Sequence, residues 1–61
     1  MEAGKVKFFN ERGWGFIIGD NGRDYYFIGR ATSEILHSGD RVMFMTEVTR
    51  RGIRAIQIVK C

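Results

Sequence analysis

The sequence contains no proline, one cysteine and one histidine, and it lacks an apolar run of the roughly 20 residues that a membrane span requires. A single cysteine excludes an intramolecular disulfide, and one cysteine with one histidine supplies too few ligands for an ordinary zinc site. The first residues also lack the apolar core of a signal peptide. We therefore expect no metal, no cofactor and no membrane contact, and a location in the cytoplasm, where cysteines stay reduced.

Length is also limited, because 61 residues allow one small domain and no more. Hydrophobic residues make up 44% of the chain and charged residues 28%, which is typical of a globular protein rather than a disordered one. We expect residues 1–61 to form a single domain. A domain of this size buries about 60% of the surface that its unfolded chain exposes, so its hydrophobic core is thin.

Negative charge is in deficit, since 10 Lys and Arg oppose 7 Asp and Glu and leave a formal net charge of +3. The charges are spread along the chain, so a surface that binds a polyanion has to be assembled by folding. Seven of the cations are arginines, which suit phosphate groups and flat aromatic rings. The same charges would also serve simply to keep a small domain soluble.

Eight glycines divide the chain into pieces of strand length. Residues 31–38 are the one stretch that favours a helix, but they are too few for a stable helix alone. Five short strands predict a closed or nearly closed antiparallel barrel, because closure removes the exposed edges of so small a sheet. The predicted strands cover residues 5–9, 14–18, 24–28, 42–48 and 53–59.

The segment RGWGFI at residues 12–17 is the most informative part of the chain. Side chains alternate along a strand, so Trp14 and Phe16 share one face while Gly15 and Ile17 take the other. Ile17 suits a core. Trp14 and Phe16, separated by a residue without a side chain, form a flat aromatic step on the opposite face.

The eight aromatic side chains are more than the core of so small a barrel holds, so several must lie on the surface. In the third strand, alternation separates Tyr26 and Ile28 from Tyr25 and Phe27, and one of these pairs extends the aromatic step. Exposed rings flanked by cations suit a single strand of nucleic acid, because any base stacks on a ring for about 1–3 kcal/mol while cations attract the phosphates. The alternative is that these rings simply pack the core.

Three segments together resemble the cold-shock domain family: KVKFFN at residues 5–10, RGWGFI at 12–17 and DYYF at 24–27. The second is similar to the family's first ribonucleoprotein motif and the third to the start of its second. The likeness is close over residues 4–28 and looser beyond. It implies a five-stranded oligonucleotide-binding (OB) barrel whose partner is single-stranded RNA or DNA. It also implies activity as an ATP-independent RNA chaperone or cold-shock regulator.

The resemblance also implies which residues bind. Phe8 stands where the family usually has tryptophan, and Tyr26 takes the first aromatic position of the second motif, which assigns its two neighbours to the core. Alternation would not place Lys7 and Phe8 on one face, so the first strand must bend or bulge if both contact the ligand. The implied nucleic-acid-binding residues are Lys7, Phe8, Arg12, Trp14, Phe16, Tyr26 and Arg51.

The chain also departs from the family pattern. Ile28 and Gly29 stand where the family has a histidine and a second phenylalanine, so two contacting groups are missing. The connection after the third strand is shorter than in the family, and so is the turn at residues 10–13. The resemblance therefore implies a shorter footprint and weaker binding than in a typical member. The extra cations are expected to offset part of this loss and to make binding more dependent on salt.

No motif indicates an enzyme. His37, Ser38 and Asp40 include the residue types of a hydrolase triad, but neighbours in sequence cannot adopt its geometry. The competing function is a protein-interaction barrel, or a strand-exchanged dimer, that has lost most nucleic-acid binding. Ile28 and Gly29 motivate it, because they replace polar and aromatic contacts with an apolar surface, and a small barrel can exchange strands. The sequence is compatible with a monomer or a dimer.

Overall fold

The computed structural model describes all 61 residues, and most of them lie in strands. Each of the predicted strands is present. The first begins earlier than expected because its initial residues pair with the fourth strand, with Glu2 opposite Phe44 and Lys5 opposite Arg41. The strands are β1 Glu2–Phe9, β2 Trp14–Gly19, β3 Asp24–Ile28, β4 Arg41–Thr49 and β5 Gly52–Lys60.

The strands close into a barrel in the order β1-β2-β3-β5-β4. This confirms the predicted all-β barrel of the OB type. The pairs β1–β2, β2–β3, β1–β4 and β4–β5 are antiparallel, whereas β3 meets β5 in parallel, with Tyr26 opposite Arg54. Parallel neighbours need a crossover connection. The segment from Gly29 through β4 provides that crossover.

Two turns, each with an asparagine and a glycine, flank β2. Asn10 Oδ1 accepts hydrogen bonds from the backbone N–H groups of Arg12 at 3.0 Å and Trp14 at 3.3 Å. At the other end, Asn21 Oδ1 accepts from the Arg23 N–H at 3.0 Å. Gly13 and Gly22 complete these turns at φ +90° and +85°, which a residue with a Cβ rarely adopts. The first turn thus sets where Trp14 enters the strand.

The segment predicted to favour a helix adopts a different conformation. The only helix is one 3₁₀ turn at Gly29–Ala31, before most of that segment. Thr32 is extended, and its Oγ1 accepts the Glu34 N–H at 3.0 Å, a local bond that competes with helix formation. Leu36 is buried in the core and holds the connection against the barrel. No helix in this fold has the length and apolar character needed to cross a membrane.

The core is built from the inward faces of all five strands. Phe27 and Phe44 are its largest fully buried side chains. Tyr25 is also buried and meets Phe44 edge-on, with 5.1 Å between ring centroids. The implied assignment of Tyr25 and Phe27 to the core is therefore confirmed. The remaining buried hydrophobic residues are Val6, Ile17, Leu36, Val42, Ala55 and Ile58.

Gly15 allows the core and the aromatic step to share one strand. It lies on the buried face of β2, and a Cβ built on it would overlap the Phe8 carbonyl oxygen and lie 2.9 Å from Phe27 Cζ. Any larger residue would therefore push β1 or Phe27 away. Gly15 is therefore required for packing of the barrel, and it also separates Trp14 and Phe16 on the surface.

The irregularity predicted in β1 is present. The pairing register with β2 shifts between Val6, which is buried opposite Ile17, and Phe8, which lies opposite Phe16. Lys7 is the extra residue and its side chain is exposed. A bulge of this kind reorients the following side chain, and here it places Phe8 on the outer face beside Phe16.

Candidate nucleic-acid interface

Four aromatic side chains from three adjacent strands lie together on the outer face of the barrel. The pairing register sets Phe8 opposite Phe16 and Phe16 opposite Tyr26. Trp14 is on the same face of β2, two residues before Phe16. We call Phe8, Trp14, Phe16 and Tyr26 the aromatic platform. All four are residues that the sequence implicates in binding, and the structure brings them to one surface.

Three rings of the aromatic platform, those of Phe8, Trp14 and Phe16, contact one another. The Phe8 centroid lies 5.5 Å from that of Trp14 and 5.5 Å from that of Phe16. Trp14 and Phe16 are 5.9 Å apart at an interplanar angle of 89°. Edge-to-face pairs of this kind are favourable and fix ring orientation. Trp14 nevertheless stays 40% exposed, so part of its ring surface is open to a ligand.

A groove of about 390 Å³ lies over three of the four rings of the aromatic platform, and Phe8 lies outside it. Its walls are Trp14, Phe16, Tyr26, Ile28 and Arg51. Ile28 lies directly opposite Trp14 in the sheet and is 37% exposed, so an apolar side chain occupies the position next to the rings. Arg51 is the one cation of this groove. The arrangement offers flat apolar surface for a base and one guanidinium for a phosphate.

Thr49 links the aromatic platform to Arg51. Thr49 Oγ1 donates to the Gly52 carbonyl at 2.9 Å and accepts from the Arg51 N–H at 3.1 Å. Because its hydrogen is committed to Gly52, the Tyr26 hydroxyl 2.8 Å away is the donor in the bond between them. One hydroxyl group therefore holds both a ring of the platform and the turn that carries its cation.

The other two predicted cations lie in separate hollows, of which the one with Arg12 shares Trp14 and Ile28 with the groove and the one with Lys7 shares no residue with it. Arg12 lines one hollow together with Trp14 and Arg30. Lys7 lines another with Lys5, next to the bulge in β1. Arg12, Lys7 and Arg51 form no ion pair, so their charges have no fixed local partner.

Two further arginines on the outer face are paired. Arg41 donates two hydrogen bonds of 2.9 Å to Asp20, which lower the pKa of that carboxyl group. Arg54 Nη2 bonds to both carboxylate oxygens of Glu47 at 2.9 and 2.8 Å, and this contact raises the pKa of the guanidinium. Their charge is therefore partly compensated, unlike that of Lys7, Arg12 and Arg51.

The family comparison agrees with this geometry. The model of the 'Cold-shock' DNA-binding domain matches residues 2–61. The chain belongs to the cold-shock domain family. It is 42% identical to the major cold shock protein of Streptococcus pyogenes serotype M6, with 98% of this chain and 97% of that protein covered. The cold shock protein CspC of Bacillus subtilis is 38% identical, with 98% of both covered. Cold shock protein 1 of Lactiplantibacillus plantarum is 36% identical, with 97% of both covered.

Membership in the family confirms the resemblance seen in the sequence and the general function that this resemblance implies. This cold-shock domain is a nucleic-acid-binding protein and not an enzyme. The competing hypothesis, a protein-interaction barrel that has lost this activity, is not favoured. The individual binding residues, the oligomeric state and the cytoplasmic location stay predictions.

Sequence reasoning missed two arginines of the cold-shock domain that the fold places beside the platform. Arg54 lies next to Tyr26 in the parallel β3–β5 pair. Arg30 lines the hollow with Arg12 and Trp14, and also a second groove beyond Ile28. The only sequence signal for Arg30 is its position directly after residues 28 and 29, where the chain departs from the family pattern. The closure of β3 on β5 is not visible in the local pattern.

Proposed function

We propose that residues 1–61 act as one domain that binds single-stranded RNA or DNA with little base preference. Bases stack on the aromatic platform, and Lys7, Arg12 and Arg51 attract the phosphates. Stacking of this kind accepts any base, because every base has a π face and each stack contributes about 1–3 kcal/mol. The domain needs no cofactor for this activity.

The observation that carries the proposal is the position of Trp14. Trp14 is 40% exposed on the outer face, although the nearby Gly15 and Ile17 are buried. The large Trp14 ring lies at the surface beside Phe16 and Tyr26. An exposed aromatic cluster is unfavourable in water and therefore indicates a binding surface. The groove that Trp14 lines also contains one cation, Arg51.

This binding mode also supports action as an RNA chaperone without ATP. A domain that binds unpaired strands, but not paired ones, shifts a hairpin toward its open form by mass action. The shift grows with protein concentration and needs no chemical step. Because Ile28 and Gly29 provide no ring, we expect a shorter footprint and weaker binding than in a typical family member, with a larger share of the affinity dependent on salt.

The single tryptophan tests the proposal as its own probe. Trp14 fluorescence is titrated with a short oligothymidine and with a duplex of the same length, at low and at moderate salt. We expect strong quenching by the single strand only. Its apparent affinity should fall with salt, because each phosphate contact to a single strand contributes about −0.7 to the slope of log K against log salt.

Two results would count against the proposal. Equal quenching by duplex and single strand would remove base stacking from the mechanism. No response to either, in a barrel that circular dichroism shows to be folded, would transfer the proposal to the protein-interaction alternative. The oligomeric state under reducing conditions would then decide whether a second copy occupies the apolar surface.

A further inference from the structure

A second groove begins where the aromatic platform ends. It has a volume of about 360 Å³. Its lining includes the cations Arg30 and Arg54 and the apolar side chains Ile28 and Ile56. Ile28 lines both this groove and the platform groove, so the two are adjacent and share one side chain. A strand that lies on the platform and passes over Ile28 therefore enters the second groove.

The two grooves differ in chemistry. The platform groove has three rings and one arginine, whereas the second groove contains two arginines and no aromatic side chain. A base entering it finds no ring on which to stack. A phosphate group finds two guanidinium groups, which are suited to it in charge and in the geometry of their donors.

Arg30 is available to a ligand. Its side chain is exposed, and it takes part in no ion pair and no side-chain hydrogen bond. It also lines the hollow that holds Arg12 and Trp14. Arg30 therefore stands between the platform and the second groove, next to Ile28 and without a carboxylate partner.

Arg54 offers a donor that lacks an acceptor. Its Nη2 bonds to Glu47, but its Nε is buried and has no hydrogen-bond partner. An unpaired buried donor is unfavourable, and a small shift of the side chain toward an incoming acceptor would relieve that cost. The Glu47 contact also orients the guanidinium at the wall of the groove.

The backbone next to these arginines is in an uncommon conformation. Gln57, which lines the same groove, has a φ of +50° and is the only residue other than glycine with a positive φ. It lies in the part of β5 whose register with β4 shifts between Met43 and Met45. Uncommon backbone of this kind costs energy and is concentrated at ligand-binding positions.

We infer that the groove beyond Ile28 binds a phosphate group of the single strand as it leaves the aromatic platform, with Arg30 as the main cation. The inference rests on the proposed function, because it needs a strand on the platform. It adds a contact of a different kind: the nucleotide in this groove contributes through its backbone and not through its base. Binding there is independent of base identity and sensitive to salt.

The test compares oligothymidines of increasing length, from about 4 to about 8 nucleotides, within the range that one OB barrel covers. Trp14 quenching reports the affinity of the wild type, of Arg30→Gln and of Arg23→Gln. Arg23→Gln is the matched control, because Arg23 is an exposed arginine of the β2–β3 turn that lines neither groove. Wild type and Arg23→Gln should gain affinity at the length that first reaches the second groove. Arg30→Gln should lose that gain, by roughly three- to tenfold, and its salt slope should fall by about 0.7.

Chemical changes in the ligand identify the group that is bound. In the longest oligonucleotide, the linkage past the platform is replaced by an uncharged methylphosphonate, or the base there is removed. The methylphosphonate should reproduce the effect of Arg30→Gln in the wild type and add nothing in the variant. Removal of the base should leave the affinity nearly unchanged.

The outcomes separate this inference from the proposed function. Quenching of Trp14 by the short oligonucleotides, with the same length profile and salt slope in Arg30→Gln as in the wild type, retains the platform and overturns the second groove. An equal loss for all lengths also overturns it, since Arg30 would then act on the platform itself. A loss on base removal that exceeds the methylphosphonate effect would mean that a base, not a phosphate, is bound. Absence of quenching at every length overturns the proposed function.

Discussion

The hydroxyl groups of Tyr26 and Thr49 lie 2.8 Å apart, which ties a ring of the aromatic platform to the β4–β5 turn. The two residues are far apart in sequence and meet because β3 closes on β5. Thr49 Oγ1 also organises the backbone of that turn through Gly52 and Arg51. A single side chain, that of Thr49, therefore connects the β4–β5 turn to the proposed binding surface.

Removing either hydroxyl should lower stability while the ring stays in place. Tyr26→Phe is expected to reduce the free energy of unfolding by about 0.5–1.5 kcal/mol, the usual contribution of one hydrogen bond. Thr49→Val should lose at least as much, because it also releases the turn, whereas Thr49→Ser should retain most of the stability. Urea unfolding of the single and double variants measures this. Because both single variants break the same bond, the double variant should lose less than their sum; strict additivity would contradict the link.

Truncating Trp14 should affect binding and spare the fold. Trp14→Ala is expected to lose about 1–3 kcal/mol of single-strand affinity, the contribution of one stacked base. Met43→Ala is the matched control, since Met43 is 38% exposed against 40% for Trp14 but lies on β4, away from the platform. Anisotropy of a labelled oligonucleotide replaces the lost fluorescence. Unfolding of Trp14→Ala would show that the ring belongs to the core, and an equal loss in Met43→Ala would place binding elsewhere.

Neighbouring arginines of the β4–β5 turn should differ in their effect. Arg51 lines the platform groove, whereas Arg50, which is also exposed, lines none of the grooves described. Arg51→Gln should weaken binding and reduce the magnitude of the salt slope by about 0.7, as expected for one phosphate contact to a single strand. Arg50→Gln should change the slope little. Identical slopes for the two variants would show that the turn acts only through its total charge.

Stability should fall in acid because two carboxylates have lowered pKa values in the fold. The bond from Arg41 lowers the pKa of Asp20, and the His37 N–H, with Lys60 nearby, lowers that of Asp40. The unfolded chain therefore takes up protons first, near the ordinary value of 3.8, and the stabilisation is lost as the pH falls further through the folded values.

The melting temperature should accordingly be nearly constant well above pH 4 and decline below it. The double variant Asp20→Asn, Asp40→Asn should start lower at neutral pH and decline less steeply in acid. Asp24→Asn serves as the control, because Asp24 is exposed and makes no ion pair. A decline of the double variant as steep as that of the wild type would assign the acid sensitivity to other carboxylates.

Local pattern was enough for the strands and for the surface position of Trp14 and Phe16, whereas the resemblance to the family was needed to assign Tyr26 to the surface and Tyr25 and Phe27 to the core. The alternation of Trp14, Gly15 and Phe16 follows from the pleat of a strand, since neighbouring side chains must point to opposite faces. The bulge at Lys7 was predictable for the same reason, because Phe8 could reach the outer face only through an extra residue. Turn glycines and asparagines marked where the strands end.

Tertiary structure decided how the strands close and what surrounds the platform. The parallel meeting of β3 and β5 brings Arg54 beside Tyr26 and Thr49 within reach of its hydroxyl, and neither contact has a signal in the nearby sequence. Residues 31–38, the one stretch with a helical tendency, form no α-helix, because Thr32 bonds locally and Leu36 is drawn into the core. The strands and the surface position of Trp14 and Phe16 could be predicted from the sequence, because they depend on neighbours in the chain. The cation-lined grooves depend on residues that only barrel closure brings together.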